Sequence, residues 1–291
     1  MNFWSDKITP FSGNTSLTCG KNVLILDKPL VMGILNLTPD SFYDGGRYLE
    51  KGAWLSQASG MIEEGASIID LGAVSTRPGA AEVSEDEELT RLITVLETLT
   101  NRFPETVFSV DTYRSKVAKL AAEAGAGIIN DISGGRLDPE LICTVASTGL
   151  PYILMHMQGT PKDMQTNPFY SNVSDEINYF FNQKLAKLKE AGIQKIILDP
   201  GFGFGKSVHH NYHLISRLMD FKQHGLPLLV GISRKSMIYK LLDISPAEAL
   251  PGTSALHMLA LINGADILRV HDVKEAMQVI KLADAYTKAS E

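Results

Sequence analysis

Asp111, Asn130, Asp199 and Lys235 supply, from four separate stretches of the chain, two carboxylate acceptors, an amide that both donates and accepts, and an ammonium. Brought together, they match a heterocycle whose edge alternates N–H and carbonyl groups, because a buried polar edge must be met atom for atom and a guanidine-like edge demands a carboxylate. Arg77, Arg269 and His271 form a second group. The planar guanidinium fork suits phosphate oxygens, so a phosphorylated substrate end is expected beside the heterocycle. Asn36 offers a neutral oxygen near that end and could help hold a Mg²⁺ coordinated mostly by substrate and water.

Two segments are placed to serve the same pocket. Thr38-Pro39-Asp40-Ser41-Phe42-Tyr43-Asp44-Gly45-Gly46 follows the first apolar run of the main body, and residues 72–83, with Ser75-Thr76-Arg77-Pro78-Gly79, follow the second. Loops of that length, edged by Gly and Pro and carrying charge, read as lids or binding loops. Gly201-Phe202-Gly203-Phe204-Gly205-Lys206-Ser207 imitates a Walker A loop but fails its spacing, since Pro200 stands where the first glycine belongs. Nor does it fit GxGxxG. The expectation is a glycine turn after Asp199 that lets backbone approach a ligand while Phe204 forms an apolar wall. His209, His210 and His213 lack the acidic or cysteine partners of a zinc site and are expected at a solvated helix start. Asp131 and Asp272 are expected to be helix caps.

Such residues act together only if the elements deliver them to one place. Apolar runs at residues 30–35, 67–71, 107–110, 127–130, 151–155, 195–198, 227–232 and 265–270 alternate with segments of helical period. Their near-continuous apolarity predicts strands buried on both faces, as in a parallel sheet covered by helices. Ser84-Glu85-Asp86-Glu87 and Ser245-Pro246-Ala247-Glu248 read as capping boxes. Helical stripes follow at Leu89, Leu92, Ile93 and Leu96, at Val117, Leu120, Ala121 and Ala124, and at Ile177, Phe180, Phe181, Leu185 and Leu188.

Eight such units in roughly 250 residues match a (β/α)8 TIM barrel. A doubly wound open sheet is the rival, but it concentrates chemistry at a switch point, whereas here nearly every run ends in polar groups. Residues of about 15–28, with Gly20-Lys21-Asn22 between two alternating segments, read as an N-terminal β-hairpin over the barrel floor. Without repeat or linker, residues 1–291 read as one domain.

The bulk properties exclude other classes. With 27 Lys and Arg against 33 Asp and Glu, the net charge of -6 provides no basic field for nucleic acid. Cys19 and Cys143 have no metal-type spacing and no disulfide framework, which suits a reducing cytoplasm. The first ten residues lack an apolar signal core, and the longest apolar stretch, at 255–262, is broken by His257 and too short to span a membrane.

Residues 32–42, 75–79, 110–112, 130–134, 155–157, 199–204, 231–235 and 269–272, in that order, resemble dihydropteroate synthase, a pterin-binding enzyme family. The resemblance runs from about residue 15 to the end. It implies a (β/α)8 enzyme of folate biosynthesis joining p-aminobenzoate to 6-hydroxymethyl-7,8-dihydropterin pyrophosphate, with loss of pyrophosphate before attack. By the same resemblance Asp111, Asn130, Met155, Asp199, Phe204, Gly231, Lys235 and Arg269 would bind the pterin. Asn36, Arg77, Arg269 and His271 would bind the pyrophosphate with Mg²⁺, and Thr76, Pro78, Phe204, Lys235 and Ser236 the p-aminobenzoate, in a slot that sulfonamides would occupy. Asp44, Asp111, Lys235, Arg269 and His271 would be the catalytic set, Asp44 ordering the closed site. A homodimer built through the last helices is also implied.

One departure stands out: Ala73-Val74 replaces the Gly-Glu that the family commonly has before Ser-Thr-Arg-Pro, narrowing the dihedral range of the second loop's hinge. Two rivals remain. A pterin-dependent methyltransferase would share the barrel but generally lacks both loops. A non-catalytic pterin-binding homologue would bind without releasing pyrophosphate.

Overall fold

The computed structural model describes residues 16–37, 52–73 and 83–289. Runs of Val, Ile and Leu suit a pleated surface buried on both faces, and each predicted run becomes a parallel strand. They are β3 (Leu30–Asn36), β4 (Ile68–Gly72), β5 (Val107–Asp111), β6 (Ile128–Asp131), β7 (Tyr152–Met155), β8 (Ile196–Asp199), β9 (Leu229–Val230) and β10 (Ile267–Val270). They pair in chain order from β3 to β8, and β10 sits between β9 and β3. Closure between β8 and β9 rests on a parallel bridge from Leu198 to Leu228. The sheet is thus a barrel, as expected. The run at 227–232 shrinks to two paired residues: Pro227 has no amide to donate, and the chain after Val230 leaves the sheet to turn at Arg234.

Helices wrap the outside: α1 (Ala53–Glu63), α2 (Glu85–Arg102), α3 (Ser115–Glu123), α4 (Leu141–Thr148), α5 (Val173–Glu190), α6 (Val208–Ser216), α7 (Ser236–Leu242), α8 (Leu250–Ile262) and α9 (Val273–Lys288). The predicted stripes face inward, as Leu92 and Leu96 on α2, Val117 and Ala121 on α3, and Ile177, Phe181 and Leu188 on α5 are buried. Ser84 caps α2 through the Glu87 amide, but the Glu87 carboxylate pairs with Arg91 instead of completing the box. Ser245 and Glu248 do close on each other, though around a three-residue 3-10 turn ahead of α8.

The barrel interior divides along its axis. Its amino end is filled by Met32, Ile68, Val107, Ile128, Ile153, Ile197, Leu229 and Ile267, one from each strand, with Leu30 as a second from β3. Leu17, Cys19, Leu24 and Leu26 join that cluster from the N-terminal hairpin β1 (Ser16–Cys19) and β2 (Asn22–Ile25) and the residue after it. The hairpin therefore plugs the floor, as predicted. Polar side chains gather at the opposite end.

Candidate active site

Side chains of a strand alternate between faces, so residues in register on neighbouring strands share a tier. Asn36 pairs with Gly72, Gly72 with Asp111, and Asp111 with Asn130, which puts one tier across β3 to β6 at the carboxyl rim. A Cβ on Gly72 would stand 3.7 Å from Asn36 Oδ1 and 4.0 Å from Asp111 Cβ, so glycine keeps the space between them open. Asp199 pairs with Met155 farther round the rim.

The recess is organised by a carboxylate that sequence reasoning missed. Asp70 is fully buried in β4; its Oδ2 accepts from Arg269 Nε at 2.7 Å and from Asn130 Nδ2 at 3.0 Å. Arg269 also donates from Nη2 to Asp111 Oδ2 at 3.1 Å. The signal was available: an Asp inside Ile68-Ile69-Asp70-Leu71 must be paired if it is buried. Burial opposes the charge on Arg269, but Asp70 and Asp111 outweigh it and hold the guanidinium above the usual arginine value. Burial pushes Asp111 up to about 7, Arg269 opposing and Asp70 reinforcing the rise. Two buried atoms, Asp70 Oδ1 and the register-paired Ser109 Oγ, have no partner among the described residues.

The other side of the recess is the glycine turn after β8. Asp199 accepts from the Gly201 amide at 2.7 Å, and burial raises its carboxyl against the opposing influence of Lys235. Gly201 has φ +72°, and a Cβ there would lie 1.8 Å from the His156 carbonyl oxygen. This is where the chain requires glycine. Lys206 holds the turn from behind, donating to the carbonyls of Gly201 at 2.9 Å and Phe204 at 3.0 Å and contacting His156 Nδ1 at 3.1 Å. Nothing in the sequence marked that role for Lys206 or His156. Lys235 crosses the mouth to the Phe202 carbonyl with its ammonium 4.6 Å from the Phe204 ring centroid, and burial lowers it to about 8. Met155 belongs to a small apolar cluster against which Phe204 packs, and Gly231 lies in van der Waals range of Arg269 and Lys235.

At the third edge, His271 follows Arg269 by two residues, and Ser233 Oγ fixes it through the His271 amide at 3.2 Å and Nδ1 at 3.0 Å. Ser233-Arg234-Lys235 closes the run that contains β9 with three polar residues in a row. The structure separates it: Arg234, at φ +53°, turns away to fork onto Asp272 and bond the Pro246 and Ala247 carbonyls, which releases Lys235 into the recess. Asp272 is accordingly not a side-chain helix cap, because Arg234 occupies its carboxylate. Asp131 is not one either; it binds the Ser133 and Gly135 amides and the Tyr152 hydroxyl, rigidifying the loop after β6. Ser236 begins α7 directly after Lys235. Of the histidines, His210 completes a capping box with Ser207 at the start of α6. Asp44, Thr76, Arg77 and Pro78 lie outside the described residues. Ala73 is within them, buried, its carbonyl accepting from Arg91.

The described rim therefore joins an acidic, partly apolar recess, entered by Arg269 and Lys235, to an edge that carries His271. The chain is similar to proteins of one family. The family model of the pterin binding enzymes matches residues 32–271. The dihydropteroate synthase of Escherichia coli strain K12 is 50% identical over 270 residues, covering 92% of this chain and 95% of that protein. A Yersinia pestis dihydropteroate synthase solved with a sulfonamide drug superposes with a TM-score of 0.89 at 46% identity, over 94% of this chain and 100% of that one. The Xanthomonas albilineans enzyme in complex with 7,8-dihydropteroate gives 0.84 at 37% identity, over 94% and 99%.

Proposed function

The chain belongs to the pterin-binding enzyme family, among its dihydropteroate synthases, and from that premise we propose how its own residues divide the reaction. It is a transferase of folate biosynthesis. The substrates are 6-hydroxymethyl-7,8-dihydropterin pyrophosphate and p-aminobenzoate, and the products 7,8-dihydropteroate and pyrophosphate. Asp111, Asn130, Asp199 and Lys235 hold the pterin edge, Met155, Phe204 and Gly231 line it, and Arg269 flanks the ring. Asn36, Arg77, Arg269 and His271 take the pyrophosphate. Thr76, Pro78, Phe204, Lys235 and Ser236 take p-aminobenzoate, with Asp44 ordering the closed site.

The observation that supports this reading is the position of Arg269, bonded to Asp70 and Asp111 in the recess and two residues from His271 at the rim. In this reading one side chain serves both the group that gains positive charge and the group that leaves. The methylene bearing the pyrophosphate is attached to an electron-rich ring, so the carbon–oxygen bond breaks first. Arg269 and His271 stabilise the departing charge while Asp111 offsets the pterin cation. The aromatic amine, neutral at pH 7, needs alignment and no strong base. Mg²⁺ would be held by Asn36, a neutral oxygen donor, together with substrate and water oxygens, since Asp111, two strands along the same tier, is already engaged by Arg269. When bound, the ion neutralises charge on the leaving group.

The test follows pyrophosphate release from the pterin pyrophosphate with Mg²⁺, with and without p-aminobenzoate. Release matched one for one by dihydropteroate is expected, together with slow release when water replaces the amine. Tight pterin binding without release would favour the non-catalytic homologue, and methyl transfer to a corrinoid without release would favour the methyltransferase. Arg269→Ala should lower turnover by roughly 100-fold or more, the scale of losing one preorganised charge donor.

Exposed Leu259 on α8 and Leu282 on α9, helices packed side by side, support self-association through this face. Sedimentation of the wild type against Leu282→Asp tests it. No described helix is long and apolar enough to cross a membrane. The thiols of Cys19 and Cys143 are both free, Cys143 being exposed, which supports a reducing, cytoplasmic setting.

A further inference from the structure

We propose that a cavity outside the barrel, between α5 and the loops that follow β6 and β7, is a second ligand site, taking a flat aromatic carboxylate that bears N–H donors at its other end. The cavity measures about 540 Å³, within the range of small-molecule sites. Phe180, Tyr170 and Tyr179 give it aromatic faces.

Arg136 and Lys184 line it too, and among the described residues neither pairs with a carboxylate. Arg136 donates to the Ser133, Met157 and Gly159 carbonyls, and Lys184 to the Gly134 carbonyl. Burial first, then Arg136 and Lys187, pull the Lys184 ammonium below the usual lysine value, and a bound anion would relieve that strain. At the other end stand Asp175 and Glu176 in the first turn of α5. Glu176 already accepts from the Ser171 and Asn172 amides, which leaves Asp175 to receive a ligand N–H. Lys184 lies two and a half turns beyond Asp175, about 13 Å along the axis of α5, so the acidic and the cationic lining residues stand at different ends of the helix wall. A ring with its carboxylate and its N–H donors at opposite ends matches that separation of charge.

The rear wall is His156, the residue whose Nδ1 meets Lys206 behind the glycine turn, so the cavity backs directly onto the pterin recess. It remains separate from the barrel mouth, and its test needs no turnover, so it stands or falls independently of the reaction proposed above.

The experiment titrates the full-length protein, labelled at its methionine methyls, with 4-aminohippurate, and follows the Met157 resonance by NMR, because Met157 lines the cavity. A saturable Met157 shift is expected, with affinity at least tenfold weaker for hippurate, which lacks the amine, and for 4-aminobenzamide, which lacks the carboxylate. Lys184→Gln and Tyr179→Ala should each weaken 4-aminohippurate at least tenfold and leave turnover without it unchanged. Tyr179 is 67% exposed, so its truncation does not threaten folding. No Met157 shift, or an affinity in Lys184→Gln and Tyr179→Ala equal to that of the wild type, as binding at the barrel mouth would give, would overturn the proposal.

Discussion

Asp70 lies wholly under the recess and answers to both Arg269 and Asn130, so removing its charge should disturb two substrate contacts at once. Asp70→Asn keeps the volume but offers Arg269 a neutral partner. The expected result is a fall in kcat/KM of roughly 10- to 100-fold, 1.4 kcal/mol of barrier for each factor of ten, with an unchanged circular dichroism spectrum. Wild-type kinetics would show that Arg269 holds its place without Asp70. The pH dependence follows from the two shifted groups beside Arg269. Ionised Asp111 is required to offset a pterin cation, and its carboxyl sits at about 7, so kcat/KM should rise as pH passes that value. Charged Lys235 is required at the pterin edge, and it titrates at about 8, so kcat/KM should fall above it. The profile of the free enzyme is thus a narrow bell. Asp111→Asn should abolish the acidic limb and leave the alkaline one.

At the scale of elements, the site depends on two turns whose backbone leaves the ordinary regions. The turn after β8 needs glycine at position 201, since any Cβ would collide with the His156 carbonyl. Gly201→Ala is expected to cost roughly 3–5 kcal/mol in urea unfolding, the exceptional range reserved for backbone strain or burial errors, and to raise KM for the pterin substrate sharply. Unfolding indistinguishable from wild type would mean that the turn has room to relax. The turn after β9 uses Arg234 at positive φ, held by Asp272, to reverse the chain and aim Lys235 inward. A further anchor fixes the chain where it enters α2: buried Glu88 on α2 accepts from Thr112 at 2.7 Å and pairs with Arg114, whose Nη2 in turn donates to the Val83 carbonyl. Strand ends supply the chemistry, but turns and anchors decide which side chains reach it.

Across the whole molecule, stability and function occupy opposite ends of one barrel. The floor cluster is far from Asp111 and Lys235, so Leu26→Ala, at a fully buried plug position, should cost roughly 2–5 kcal/mol of unfolding free energy with KM unchanged. A rise in KM comparable to that of Gly201→Ala would show that floor and rim are coupled. The alternation of strands and helices was legible in the sequence because buried parallel strands must be apolar on both faces, and the polar residue closing each run marked the rim. Motif order also made the family legible. Closure was legible too, because nearly every run ends in polar groups, but the contact that makes it, the bridge from Leu198 to Leu228, joins segments that no local pattern relates. Nor could spacing tell that, of the neighbours Arg234 and Lys235, the arginine turns outward, since the choice rests on one backbone angle and on Asp272, 38 residues away. The amino-acid sequence by itself determined which groups were available and that they stand at strand ends, because hydrophobic period and residue chemistry are local properties. Only the tertiary structure decided who bonds whom, as when Asp70 meets Arg269 across 199 residues, because a buried charge takes the partner that chain closure brings within reach.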